Sequence, residues 1–253
     1  MAPVHEIVRF LDDFLDAAEF ADYGPNGLQV PGRAEVDRVV TGVSASLELF
    51  EHAVAAGAGL VLVHHGVFWD RAPRALTPAA AARLRTLLAA DVNLAAYHLP
   101  LDGHPEVGNN ALLAAGLGAD AREPFAEHGG RHIGALARFD GEGVDAGELF
   151  ARVAALTRRE PLVFDAGPAR VRTLGIVSGG AAADLDTAIR AGLDGFLTGE
   201  PSEPAMTAAR EGGIHFIAAG HYATETFGVR RLGEVVAERF GVEHEFVDLP
   251  NPV

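Results

Sequence analysis

The sequence predicts an α/β fold of two lobes with mostly parallel central sheets, and three observations predict it. Val36 to Ser46, residues 47 to 58 and Leu60 to Val63 read as strand, helix and strand in so short a length that a right-handed parallel crossover is implied. The unbroken apolar run Leu60-Val61-Leu62-Val63 is the pattern of an interior strand buried on both faces. The alternation of strand and helix then restarts beyond residue 130, in a chain of 253 residues, long enough for two small domains at roughly 100 to 200 residues each. The lobes expected are residues 1–128 with 214–253, and residues 129–213.

Taken in order, residues 4 to 20 carry Ile7, Val8, Leu11, Phe14 and Leu15 on one helical stripe. Pro25-Asn26-Gly27-Leu28-Gln29-Val30 follows as a tight loop, Pro fixing φ and Asn-Gly favouring positive φ. Asn26 and Gln29 have polar ends that a ligand could meet, although a turn role is commoner. Thr77-Pro78 opens an Ala- and Leu-rich helix to residue 90 as N-cap and first helical residue. Val92 to Tyr97 is a third strand, and Gly108-Asn109-Asn110 leads into a short helix. In the second lobe, Ile133 to Phe139, Leu162 to Phe164, Val171 to Val177 and the run ending at Phe196-Leu197-Thr198 are strands, and residues 145–157 and 181–191 are helices. Ser178-Gly179-Gly180 matches no phosphate-binding fingerprint and reads as a plain strand-to-helix turn. Ile214 to Ala218 is the last core strand, followed by a long amphipathic helix to Phe240 and a closing strand near Phe246-Val247.

Composition narrows the function. The 20 basic residues against 35 acidic ones give a net charge of -15, with no basic run, which argues against a binder of nucleic-acid backbone but not of a single nucleotide. There is no cysteine, so disulfides, iron-sulfur clusters and thiolate zinc sites are excluded, and any metal must use His, Asp or Glu. No apolar run approaches the roughly 18 residues of a membrane span, and the N-terminus lacks the build of a signal peptide. The expectation is a cytoplasmic protein without membrane contact.

Ligand-type residues gather where apolar strands give out, which is where an open α/β sheet forms its crevice. They are His64 with His65, His98 with Asp102, and His221 with Glu225. His64 and His65 are neighbours, so they converge only if the backbone turns, and Gly66 permits that. His221 and Glu225 share a face if a helix has begun, and stay close if Thr224 caps the next one. Four imidazoles and two carboxylates exceed the three protein ligands of a mononuclear catalytic zinc site and suit two ions with a bridging carboxylate, for which Glu225 is the candidate. Mixed nitrogen and oxygen ligation suits zinc, iron, manganese or nickel rather than magnesium or calcium. The chemistry implied is hydrolysis. Around these residues, Glu200 is a candidate acceptor for a ligand histidine, Phe68 and Trp69 are candidates to stack on a purine, and His104 is a candidate proton shuttle or a plain loop residue. His5, His128, His132, His215 and His244 are assigned no role.

His64-His65-Gly66-Val67-Phe68-Trp69, His98-Leu99-Pro100-Leu101-Asp102, Gly108-Asn109-Asn110, Leu197-Thr198-Gly199-Glu200 and Gly220-His221-Tyr222-Ala223-Thr224-Glu225 together resemble the Nif-three-like dinuclear metal proteins, also called GTP cyclohydrolase I type 2. Pro25 to Val30 and the tail Asp248 to Pro252 extend the resemblance over nearly the whole chain. Gly66 stands where some relatives carry proline. The resemblance implies interlinked, three-layer-like α/β lobes, a toroidal homohexamer, and two divalent metal ions per subunit. It implies His64, His65, Asp102, His221 and Glu225 as ligands, with His98 as a sixth. The function expected is a metal-dependent hydrolase of a nucleotide or small molecule through a metal-bridging hydroxide, with GTP ring opening as one such reaction. The alternatives are a metal-dependent phosphoesterase and a non-catalytic ring that binds metal or a partner.

Overall fold

A computed structural model describes residues 1–253, the side chain of Ala121 excepted. The chain divides into two compact units, Met1–Leu101 with Gly228–Leu249, and Asp102–Phe227 with Pro250–Val253. Relative to the expected lobes, residues 102–128, 214–227 and 250–253 fall in the second unit. The reason is hydrogen bonding: Ala121–His128 and His215–Ala218 are both strands of that unit's sheet.

The first unit is built on a five-stranded sheet in the order Glu243–Phe246, Arg38–Ser44, Leu60–His65, Asn93–Ala96, Gly27–Val30. Its first three pairings are parallel and only the last is antiparallel. Leu60, Val61, Leu62 and Val63 are fully buried, as their unbroken apolar run predicts. The helices Leu47–Ala55 and Pro78–Ala90 contribute Leu49, Phe50 and Leu87 to the core around Val40, Val61, Val63 and Leu94. Ser46 and Thr77 cap these helices, their hydroxyls accepting the N–H groups of Leu49 and Ala80. The opening helix stops at Phe14, followed by a separate 3-10 turn at Ala17–Glu19, because Asp16 takes the left-handed conformation. Gly27–Val30 pairs as an edge strand where a loop is expected, with Gly27 at φ +94° turning the chain into it.

The second unit carries a six-stranded sheet in the order Leu162–Phe164, His215–Ala218, Gly195–Thr198, Thr173–Ile176, Arg131–Arg138, Ala121–His128. Its three central strands are parallel and its flanking pairings antiparallel. Leu149 and Val153 of the helix Ala146–Thr157 pack with Leu113, Leu174, Ile176, Leu197 and Ile217. The helix Ala205–Gly212 and the strand Ala121–His128 are additional to those read from the sequence. Among the described residues no helix is long and apolar enough to cross a membrane.

Candidate metal centre

In the first unit, His64 and His65 are the last two residues of the strand Leu60–His65, and their rings lie 4.7 Å apart. His98 follows the neighbouring parallel strand, its ring 5.0 Å from His64 and 5.5 Å from His65. Each imidazole offers a ring nitrogen, and the three donor atoms lie within 4.8 Å of one another. His64 is fully buried, while His98 is 19% exposed.

What orients these rings is a set of bonds to their other nitrogen. The Nδ1–H of His64 donates to the carbonyl of Tyr97 at 3.0 Å, and that of His98 donates to Asp22 Oδ1 at 2.7 Å. His65 Nδ1 is hydrogen-bonded to Ser44 Oγ at 3.0 Å, Ser44 standing opposite His65 on the adjacent parallel strand. Carbonyl and carboxylate accept only, so His64 and His98 are fixed in the tautomer whose Nε2 carries the lone pair. This is how metal-ligating histidines are held.

Asp22 is only 3% exposed in its side chain and accepts from the backbone N–H groups of Tyr23 and Leu99 and from Asn26 as well as from His98. Burial pushes its pKa up, but the bond from His98 and these others outweigh burial and hold it below the usual carboxylate value. Asn26 accepts the backbone N–H of His98, and Gln29 accepts that of Val67, just past His65. Both therefore hold the loops that follow His65 and carry His98. The Asp22→Asn exchange replaces an anionic acceptor for His98 by a neutral amide, and metal affinity is expected to fall about 10–100-fold, as for other outer partners. Isothermal titration of the two chelator-stripped proteins with zinc measures it.

In the second unit, His221 opens the short helix His221–Thr224 and Glu225 caps its C-terminus, so the two meet across that turn rather than on the face of one continuous helix. His221 Nε2 lies 3.2 Å from Glu225 Oε2, and its Nδ1–H donates to Glu200 Oε1. Burial opposes the charged imidazolium, but Glu225 and then Glu200 more than offset it, and the metal-free His221 has a pKa raised to about 9. Glu225 is 2% exposed and Asp102 7%. Asp102 Oδ1 accepts from Asn109 Nδ2 at 2.8 Å and from Ser178 Oγ at 3.1 Å. Ser178-Gly179 is thus a seat for the carboxylates. A Cβ on Gly179, which has φ +67°, would strike Glu225 Oε1 and reach within 3.2 Å of His221 Nε2.

The remaining candidates separate. Trp69 packs its ring 5.9 Å from His65 and edge-on 5.3 Å from His98, and its indole N–H donates to the Gly66 carbonyl at 3.2 Å. Phe68 is 40% exposed. His104 Nδ1 accepts the backbone N–H groups of Glu106 and Val107, each at 3.2 Å, and so shapes its own loop. Asp22, Ser44 and the Tyr97 carbonyl were not singled out by sequence reasoning, and Ser178 was read only as part of a turn.

The Duf34/NIF3 (NGG1p interacting factor 3) family model matches residues 2–252. A Pseudomonas aeruginosa protein named GTP cyclohydrolase 1 type 2 homolog is 48% identical over 249 residues, which is 97% of each chain. Among solved structures, the ybgI protein, described as of unknown function, is 42% identical with a TM-score of 0.94, and a protein from Thermus thermophilus is 36% identical with a TM-score of 0.92. Both similarities cover 100% of both chains. With the family model matched from residue 2 to residue 252 and nearly half of the residues shared with a relative of the same extent, this chain belongs to the DUF34/NIF3 family.

Proposed function

We propose that this chain is a divalent-metal-dependent hydrolase acting on a nucleotide or a similar small molecule, opening of the GTP ring being the reaction suggested by its relatives' names. The supporting observation is the clamped donor set: the Nδ1–H groups of His64, His98 and His221 are each taken by an oxygen acceptor, which turns Nε2 into the remaining ring donor. In the first unit His64, His65 and His98 are the metal donors. Asp102, His221 and Glu225 would hold metal in the second. Imidazole nitrogen with carboxylate oxygen fits zinc, iron, manganese or nickel. A pair of such ions would supply activation of water and neutralisation of charge on the attacked centre.

The chain's own groups set the protonation. His221 is held between two carboxylates and carries a proton near neutrality in the metal-free protein, with its pKa at about 9. That raised value stabilises the metal-free fold fully below the ordinary histidine pKa, and the contribution is lost as pH rises through about 9. As a metal ligand His221 must give up the proton on Nε2. Metal affinity is therefore expected to rise about tenfold per pH unit from this one proton and to level off above about 9.

The deciding experiment combines metal analysis with turnover of GTP, other nucleotides and aryl phosphates, before and after chelation. About two ions per chain, as a dinuclear site requires, with turnover only when they are bound, is the expected result. Two ions without turnover across the panel would overturn the hydrolase reading in favour of a metal- or partner-binding ring, and no ion at all would overturn both.

A further inference from the structure

The connection between His65 and the helix Pro78–Ala90 encloses a cavity of about 620 Å³ within the first unit, and neither the ligand set nor the clamps account for it. Its volume falls in the range of about 300–1,000 Å³ that small-molecule sites occupy. Phe68, Trp69 and Leu76 supply aromatic and apolar lining, and Phe68 and Leu76 are 40% and 60% exposed. Connections this long without regular structure are uncommon in compact domains and usually functional.

Charge distinguishes this wall from the rest of the chain. Between Gly66 and Thr86 stand Arg71, Arg74, Arg83 and Arg85 against the single acid Asp70, in a chain whose net charge is -15. Arg74, Arg83 and Asp70 line the cavity itself. Arg83 is already engaged with the Ala45 carbonyl at 3.0 Å, whereas Arg74 is exposed. Trp69 connects the two features, since it lines the cavity and also packs against His65 and His98.

We propose that this cavity binds a small molecule combining a flat aromatic ring with a phosphate group, the ring lying against Phe68 and Trp69 and the anion meeting Arg74. Aromatic faces stack on planar rings, and arginine recognises phosphate through paired N–H donors. As a statement about binding, this holds without any metal. Only the further step, that the bound molecule is the substrate handed to His65 and its neighbours, rests on the hydrolase reading.

Trp69 is the chain's only tryptophan, so its fluorescence reports the cavity directly. The full chain, stripped of metal by chelation, is titrated with AMP, adenosine and inorganic phosphate. The expected result is a saturable change with AMP, with affinity about tenfold or more above that for adenosine, and a loss of about tenfold or more in Arg74→Glu, in line with a charge-assisted bond. Arg74 is exposed, and an unchanged circular dichroism spectrum would establish that the variant folds. No saturable change with AMP, equal affinity for adenosine, or an unaltered Arg74→Glu would each overturn the proposal. AMP binding in a metal-loaded protein that turns nothing over removes the hydrolase reading and leaves the cavity assigned. Turnover of nucleotides with no AMP bound does the reverse.

Discussion

Glu225→Ala is expected to lose most of its bound metal and to lower turnover by about a thousandfold, more than the roughly 10–100-fold that outer partners control. Two effects converge on this side chain. It is a candidate bridge between ions, and it is also the carboxylate that meets His221 Nε2. A second readout does not depend on activity. Glu225 contributes most, after burial, to the raised pKa of His221, so in the chelated variant that histidine must titrate below its wild-type value of about 9. Proton NMR of the imidazole resonance across a pH series measures it. Because Glu225 is 2% exposed, the comparison needs a folded variant, with Glu225→Gln as the near-isosteric partner. Wild-type turnover with full metal in Glu225→Ala would sink the bridging role, and an unmoved His221 would sink the electrostatic account.

Gly199→Ala is expected to be a costly single methyl beside His221. Its Cβ would stand 2.6 Å from His221 Cα, 2.8 Å from His221 N and 2.7 Å from the Gly179 carbonyl oxygen. All three are backbone atoms, and no rotamer can relieve them. The same loops are tied by Gly199 N–H to the Gly179 carbonyl at 2.9 Å and by Gly220 N–H to the Gly199 carbonyl at 2.8 Å. Overpacking of this kind costs about 1–3 kcal/mol, or a fall in Tm of about 2–4 °C for each kcal/mol in a chain of this size. Calorimetry beside Gly147→Ala, whose Cβ meets only the Asp145 side chain at 3.3 Å, separates a steric effect from loss of glycine as such. Equal Tm in the two variants would show that the loop yields.

The gathering of His64, His65 and His98 was legible because metal chemistry restricts residue type and the α/β sheet restricts place. His64, His65 and His98 stand where apolar runs stop, and adjacent parallel strands bring those stops together. Their partners were not legible, since a backbone carbonyl such as that of Tyr97 has no identity in a sequence, and Asp22 lies 76 residues from His98. The relation of His221 to Glu225 remained open between two geometries, because four residues fit either a helical turn or an N-cap, and in the structure Glu225 is instead the C-cap of the short helix that His221 opens. Gly27–Val30 was hidden by its own turn-forming neighbours, and as a short edge strand it shows little alternation. The hairpin joining Ala121–His128 to Arg131–Arg138 did leave a signal. Gly129-Gly130, both at positive φ, is the two-residue connection that a tight hairpin favours.

The clamps on Nδ1 also decide when order is imposed. A free imidazole rotates about two side-chain bonds, and an ion that gathers loose rings must meet that entropy on arrival. Here His64, His65 and His98 are oriented by a carbonyl, a hydroxyl and a carboxylate that are already in place in the folded chain. The ordering belongs to folding rather than to capture. An ion that bound these three rings would leave and return without the chain having to find its shape again.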